Sequence, residues 1–139
     1  SVLGALTAQK ETVLVQPFMR TTPTRDLRVL VAGMEPLAAY WREAVGEEFR
    51  ANVHRGGRVK EASAADLPAG ALELALAAAR ATSLPFAGID LIETGDGLAL
   101  LEVNGSPGFQ GAEEATGKDL ATPFVQRWMA WPAAEIARG

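Results

Sequence analysis

Polar and apolar side chains alternate with a period of two at residues 26–29 of the stretch 25–33, RDLRVLVAG, and this pattern predicts a strand with one buried face. The two faces would carry Leu27, Val29 and Val31 on the buried side, and Asp26 and Arg28 on the other. The strand therefore predicts a core on one side and a pair of charges on the opposite side.

Three other stretches have patterns typical of strands. Residues 11–19, ETVLVQPFM, are β-branched or apolar until Pro17 interrupts regular pairing. Residues 37–44, LAAYWREA, follow the turn sequence GMEP and are predicted to return antiparallel to the strand before it. Residues 49–59, FRANVHRGGRV, are polar at Arg50, Asn52 and His54, again with a period of two, and a Gly-Gly pair follows at 56–57.

The second half of the chain predicts helices around a hairpin. Residues 66–85, DLPAGALELALAAARATSLP, are rich in alanine and leucine, with Asp66 or a neighbour as cap and Pro68 in the first turn. The hairpin would join FAGIDLIE to LALLEVNGS through the turn TGDG. Residues 116–131, TGKDLATPFVQRWMAW, predict another helix with Asp119 near its start. This order predicts one α+β domain, a mainly antiparallel sheet with two packed helices.

Composition narrows the function classes. The 139 residues are 48% apolar and 22% charged, as in ordinary globular domains. No run of 18 apolar residues occurs, so we expect no membrane span. The absence of cysteine excludes disulfides and thiolate metal sites and favours the cytoplasm. A net charge of −4 argues against a nucleic-acid surface, although residues 50–60 are locally basic.

A candidate metal site lies in the hairpin, where the sequence LLEVNGSPGF places Glu102 and Asn104 two residues apart. Residues at this spacing project from the same face of a strand. Asp90 stands in the preceding strand, and we expect it directly opposite Glu102. Two carboxylates and a carboxamide suit Mg²⁺ or Mn²⁺ and do not suit zinc.

The register of this hairpin decides whether the three side chains meet. A three-residue loop at 95–97, with Gly97 in the left-handed conformation, pairs Asp90 with Glu102. A two-residue Asp-Gly turn would instead pair Asp90 with Val103 and turn it to the other face. The alternative interpretation is that Asp90 and Glu102 lie on the solvated face of a half-buried hairpin.

Charged and polar side chains on alternating strand positions form a second candidate site, composed of Asp26, Arg28, Arg50, Asn52 and His54. Arginine is suited to phosphate and carboxylate, so this face predicts a polyphosphate or acyl-phosphate pocket. The alternative is a solvated polar face on which Asp26 and Arg28 pair with their neighbours. His54 is the single histidine, and we expect it to bond backbone near the Gly-Gly pair. Neither a Walker nor a Rossmann glycine motif is present.

Four of these segments, RDLRVLVAG, FRANVHRGG, FAGIDLIE and LEVNGSPGFQGAEEATG, occur in an order and at a spacing that resemble the ATP-grasp superfamily, most closely its RimK-type ligases. The resemblance covers nearly the whole chain. It implies an ATP-dependent carboxylate–amine ligase that phosphorylates a substrate carboxylate and then joins it to an amino acid, commonly glutamate. It implies ATP and two Mg²⁺ or Mn²⁺ ions as cofactors.

The resemblance also implies residue roles. Asp90, Glu102 and Asn104 would hold the metal ions, and Glu102 would contact both. Arg28 and Arg50 would be catalytic, because they would stabilise the transferring phosphoryl group. The nucleotide would contact Gln16, Pro17, Phe18, Met19, Asp26, Arg28, Arg50, Ala51 and Asn52. Pro17 stands where the family usually has an acidic residue, and Ala51 stands where a small hydroxyl residue is expected.

The resemblance covers only the C-terminal ATP-grasp subdomain, so we expect the chain to be part of a longer ligase and to be inactive alone. The acceptor, which includes a protein C-terminus among the options, and the oligomeric state are left open. Trp128 and Trp131 are candidates for the core or for a homo-oligomer interface. The alternative function is a non-catalytic nucleotide- and metal-binding or protein-interaction module with the same fold.

Overall fold

The computed structural model describes residues 23–44 and 57–132, together with Gly4, Thr12, Met19 and Thr21. The strand predicted at 11–19 lies outside the described residues except for Thr12 and Met19, neither of which is in a helix or strand. The strand predicted at 49–59 is described only from residue 57.

In the described part of the chain, five strands form one sheet, in which every neighbouring pair is antiparallel. The strands are β1 (Arg25–Ala32), β2 (Glu35–Glu43), β3 (Arg58–Glu61), β4 (Phe86–Thr94) and β5 (Gly97–Asn104), in the order β3-β2-β1-β4-β5. The helices in the described part of the chain are α1 (Ala71–Ala81), α2 (Gln110–Thr116) and α3 (Ala121–Ala130). The predicted α+β class is confirmed.

The β1–β2 hairpin closes through a two-residue turn. Gly33 and Met34 have φ values of 63° and 58°. Positive φ at both positions gives the backbone twist that antiparallel strands need. The Gly33 amide donates a hydrogen bond of 2.7 Å to the Pro85 carbonyl, which ties this turn to the start of β4.

One face of the sheet is apolar and is covered by α1. The odd-numbered residues of β1, predicted to be buried, are fully buried here: Leu27, Val29 and Val31. They pack with Ile89 and Leu91 of β4 and with the alanine-rich side of α1. The small alanine side chains let the helix lie close to the sheet, and the buried apolar area stabilises the domain.

The opposite face is divided into an apolar part and a charged part. Leu30 and Tyr40 pack with Ala112 of α2 and with Leu120. The charged part lies along the same strands, at Asp26 and Arg28 and at their cross-strand partners. Because α1 covers the other face, the charged groups are on the side of the sheet opposite that helix.

The helix ends differ in part from the sequence expectation. Helix α1 begins only at Ala71, with Gly70 at its N-cap, and the expected cap Asp66 instead accepts a hydrogen bond from Ser63 Oγ. Asp119 does lie near the start of α3, where it accepts a hydrogen bond of 3.1 Å from the Thr122 amide. Helix α2 was not predicted, because seven residues are too few to show a helical period.

An aromatic cluster attaches α3 to the sheet. Phe124 of α3 contacts Phe86 and Phe109, with ring centroids 4.0 and 5.3 Å away. Trp128 extends this cluster but remains 41% exposed, so its assignment to the core was wrong. Trp131 is partly buried beside Gly33.

Candidate functional site

Polar side chains from four adjacent strands share the face opposite α1. The register pairs Asp26 with Arg42 and Arg28 with Asp90, and Asp90 lies opposite Glu102. Two positions further along, and so on the same face, Gly88 lies opposite Asn104. The sheet therefore brings together five of the predicted site residues, Asp26, Arg28, Asp90, Glu102 and Asn104.

Asp90 is the centre of this group. It is only 3% exposed, and it accepts from Arg28 through two hydrogen bonds of 2.6 Å, Nε to Oδ1 and Nη2 to Oδ2. Burial lowers the pKa of the Arg28 guanidinium, but the hydrogen bond to Asp90 and its charge raise it, and the pKa lies above its ordinary value. Asp90 is therefore a buried carboxylate held in a paired geometry, which excludes its assignment to a solvated hairpin face.

Arg42 is a further member of the group that the sequence did not indicate. Its Nη2 donates to Asp90 Oδ2 at 2.8 Å, and its Nε donates to Asp26 Oδ1 at 2.6 Å. Burial lowers the pKa of Arg42, yet its bonds and charge interactions with both carboxylates leave that pKa raised. Burial raises the pKa of the Asp26 carboxyl above its ordinary value, and Arg42 opposes that rise. The expected pairing of Asp26 and Arg28 with neighbours is present, but it is buried rather than solvated.

Two β-bulges set this arrangement. The register of the β1–β2 hairpin shifts by one residue at Leu37, and that of the β4–β5 hairpin shifts at Leu101. Without the first shift Arg42 would pair with Arg25, and without the second Glu102 would pair with Ile89. Since a one-residue slip turns a side chain to the opposite face, the bulges aim both residues at Asp90.

The expected loop of the β4–β5 hairpin was wrong, although the expected pairing of Asp90 with Glu102 was right. Thr94 pairs with Gly97, so the loop has two residues and not three. Gly97 has the expected positive φ, 115°. The bulge at Leu101 adds the residue that the shorter loop lacks.

Glu102 and Asn104 differ from Asp90 in their surroundings. Glu102 is exposed, and no hydrogen bond or ion pair links its side chain to another described residue. Asn104 is partly buried, and its Oδ1 accepts a hydrogen bond of 2.9 Å from the Ser106 amide. Both side chains retain acceptor capacity on the face that carries Asp90.

The side-chain oxygen atoms of Asp90, Glu102 and Asn104 suit a hard divalent cation. Asp90 Oδ1 accepts one arginine hydrogen bond, Asn104 Oδ1 accepts one amide hydrogen bond, and both Glu102 oxygens are available. Among the described residues no group of three His, Cys, Asp or Glu side chains could hold a metal. A cation bound here would take the Asn104 carboxamide as its third protein ligand, which is chemistry that suits Mg²⁺.

The remaining predicted nucleotide contacts, Gln16, Pro17, Phe18, Arg50, Ala51 and Asn52, lie outside the described residues, as does His54. Met19 is described and is 41% exposed. The roles expected for these residues stay predictions.

A family model described as a RimK-like ATP-grasp domain matches residues 1–128. The chain belongs to the RimK-like ATP-grasp family. The resemblance seen in the sequence is thereby confirmed. No helix in the described ranges is long and apolar enough to cross a bilayer.

Similar curated proteins are named glutamate ligases. A probable alpha-L-glutamate ligase of Chromohalobacter salexigens is 40% identical over 126 residues, which cover 91% of this chain and 41% of that protein. The ribosomal protein bS6–L-glutamate ligase of Escherichia fergusonii is 40% identical over 129 residues, 93% of this chain and 42% of that protein. The chain thus spans less than half the length of these relatives.

Solved structures of ATP-grasp ligases have a similar fold. The ATP-grasp ligase PsnB in complex with a minimal precursor has a TM-score of 0.59 at 22% identity, over 76% of this chain and 34% of that chain. A complex of PsnB that also contains Mg and ADP has a TM-score of 0.57 at the same identity, over 76% of this chain and 32% of that chain. The likeness confirms the fold.

Proposed function

We propose that residues 1–139 are the C-terminal ATP-grasp subdomain of a longer ATP-dependent carboxylate–amine ligase that acts in the cytoplasm. The observation that carries this proposal is the charged sheet face. On this face a buried Asp90 is paired with Arg28 and Arg42. Opposite it lies Glu102, whose exposed side chain has no partner among the described residues. Such a face has acceptors for a cation and donors for phosphate within two strands of each other.

The proposed reaction has two steps. An oxygen of the substrate carboxylate attacks the γ-phosphorus of ATP, and ADP leaves, so that an acyl phosphate forms. The amino group of an amino acid then attacks the acyl carbon and loses a proton, and phosphate leaves with one oxygen of the original carboxylate. Both steps develop negative charge on phosphate oxygens, which preorganised cationic groups stabilise.

The residues of this chain would divide that work. Asp90, Glu102 and Asn104 would hold Mg²⁺ or Mn²⁺. The bound cation would neutralise the charge of the ATP phosphates. Among the described cations, Arg28, which pairs with Asp90, would be the one to turn to a phosphoryl group at the same site. Arg42 would keep Asp90 in place, because its second bond, to Asp26, anchors it to β1. Arg50 and the residues 16–19 would complete the nucleotide contacts.

Glutamate is the amino acid that we propose, and a protein C-terminus is the first acceptor to test. The support comes from the names of the relatives, which include alpha-L-glutamate ligases and a ligase of glutamate to ribosomal protein bS6. A precursor peptide is bound in one of the PsnB complexes. A carboxylate on a peptide is therefore a reasonable substrate class for this chain.

The test is ADP release by the full-length protein with Mg²⁺, glutamate and a panel of carboxylate acceptors that includes peptide C-termini. The productive acceptor is then supplied with ¹⁸O in its carboxylate. The proposal predicts one ¹⁸O atom in each phosphate released. Phosphate without the label would exclude the acyl-phosphate route, and nucleotide binding without turnover on any acceptor would support the non-catalytic alternative.

A further inference from the structure

Gly88 lies on the sheet face opposite α1, where the charged part meets the apolar part, between Leu30 of β1 and Asn104 of β5. A glycine inside a strand weakens the strand, so its presence there often marks a close approach by another part of the chain. Here the approaching group is Pro107. A Cβ atom added to Gly88 would lie 2.9 Å from Pro107 Cβ and 3.5 Å from Arg28 Nε.

The distance of 2.9 Å means that a side chain at position 88 cannot be accommodated unless neighbouring atoms move. Carbon atoms in contact lie about 3.5–4.0 Å apart, so a separation of 2.9 Å requires Pro107 or the strand to shift. Neither partner is a flexible side-chain end, because the ring of Pro107 is fixed to the backbone and Gly88 is paired on both sides.

The loop that follows β5 connects this contact to the candidate metal site. Pro107 is buried, whereas Ser106 and Gly108 on either side are exposed, so the loop turns back to place one ring on the sheet. The same loop holds Asn104, since the Ser106 amide donates to its Oδ1. A displaced Pro107 would therefore move the Asn104 carboxamide, whereas the new Cβ would be in ordinary contact with Arg28 Nε.

We propose that Gly88 is a positioning residue of the metal and phosphate site. Its missing Cβ provides the space for Pro107, and Pro107 fixes the loop that holds Asn104 beside Asp90 and Arg28. This inference rests on the proposed function, because it assigns a role to Gly88 through residues that would hold Mg²⁺ and phosphate.

The experiment compares Gly88→Ala with Gly108→Ala in the full-length protein. Gly108 is a matched control in the same loop, because a Cβ there meets no heavy atom within 4 Å. Isothermal titration measures the affinity for Mg²⁺ with a non-hydrolysable ATP analogue, and circular dichroism with urea unfolding measures folding. We expect Gly88→Ala to weaken Mg²⁺ binding by about 10- to 100-fold, as supporting residues of metal sites do, and Gly108→Ala to change it by less than about twofold.

A second comparison, with Pro107→Gly alone and combined with Gly88→Ala, tests the proposal even if Gly88→Ala by itself does not fold. Pro107→Gly removes the atoms that a new Cβ would meet, so Gly88→Ala should cost less Mg²⁺ affinity in that background than in the parent. Additive effects of the two substitutions, or a folded Gly88→Ala protein that binds Mg²⁺ like the parent, would overturn the role of Gly88. Failure of the unsubstituted protein to bind the Mg²⁺ and analogue pair would instead overturn the proposed function.

Discussion

Asp90 receives three N–H donors from two arginines in a nearly buried position. Taking these charges out of water costs more than an apolar pair would, so the cluster is better explained by chemistry than by stability. Arg28 and Arg42 differ in what they do there. Arg28 gives two of its donors to Asp90, whereas Arg42 divides its donors between Asp90 and Asp26.

Replacing Arg42 should therefore lower the stability of the protein. Arg42→Met would leave Asp26 without its ion pair and Asp90 with only Arg28, at a cost of about 3–5 kcal/mol in the free energy of unfolding. Urea unfolding measures this cost. Lys118→Met is the control, because the exposed pair of Lys118 and Glu61 contributes about 1 kcal/mol or less. Equal unfolding midpoints for the two variants would contradict the role given to Arg42.

At the residue scale the sequence predicted most of the described candidate site. Period-two alternation placed Asp26 and Arg28 on the face away from the core, and spacing placed Glu102 beside Asn104. Arg42 was missed because a regular hairpin from the turn at Gly33 would have put it on the opposite face. Only the bulge at Leu37 brings it to Asp26, and the sequence around Leu37 has no distinct bulge signal.

At the element scale, the two hairpins that meet at the β1–β4 pair each contain one extra residue on their outer strand. The bulges at Leu37 and Leu101 turn Arg42 and Glu102 towards Asp90. Bulges often lie next to active sites because they aim a side chain without changing the rest of a sheet. The pairing of Asp90 with Glu102 was predicted through a three-residue loop, whereas the protein reaches it through a shorter loop and a bulge.

This account predicts different results for two deletions in β5. Without Leu101 the strand loses its bulge, and Glu102 still pairs with Asp90. Without Val103, Glu102 and Asn104 become neighbours, so they must point to opposite faces whichever register forms. We expect Mg²⁺-dependent ADP release to fall by about 10²- to 10³-fold on deletion of Val103 and by less than about tenfold on deletion of Leu101.

The comparison requires that both deletion proteins fold, which circular dichroism and the urea midpoint would establish. Equal activity of two folded deletion variants would show that Glu102 and Asn104 need not share a face. The metal assignment of the pair would then be wrong.

At the scale of the whole molecule, the charged cluster of the candidate site lies on the sheet face opposite α1. Glu102 is exposed, and a phosphate held at such a surface is screened by water. The chain also spans 41% and 42% of two of the glutamate ligases that it resembles. The proposed function therefore predicts that strong binding of ATP needs a second protein surface over this face.

The isolated chain of 139 residues should accordingly release no ADP above background, while the full-length protein does. The physical reason is that charge stabilisation at a water-covered face is weak compared with that in a closed site. A coupled assay for ADP, with the same acceptor and glutamate for both proteins, measures the difference. Turnover by the isolated chain at a rate near that of the full-length protein would refute the requirement for a second surface.

The most direct test of the central claim is the affinity of the full-length protein for Mg²⁺ in the presence of a non-hydrolysable ATP analogue, measured for Glu102→Ala and Glu93→Ala. Glu93 is a carboxylate in the same hairpin, but it pairs with Arg25 away from the site. If Asp90, Glu102 and Asn104 hold the cation, Glu102→Ala weakens Mg²⁺ binding by about 100-fold and Glu93→Ala leaves it within about twofold. Equal affinities of the two variants would show that the charged face does not bind the metal through Glu102.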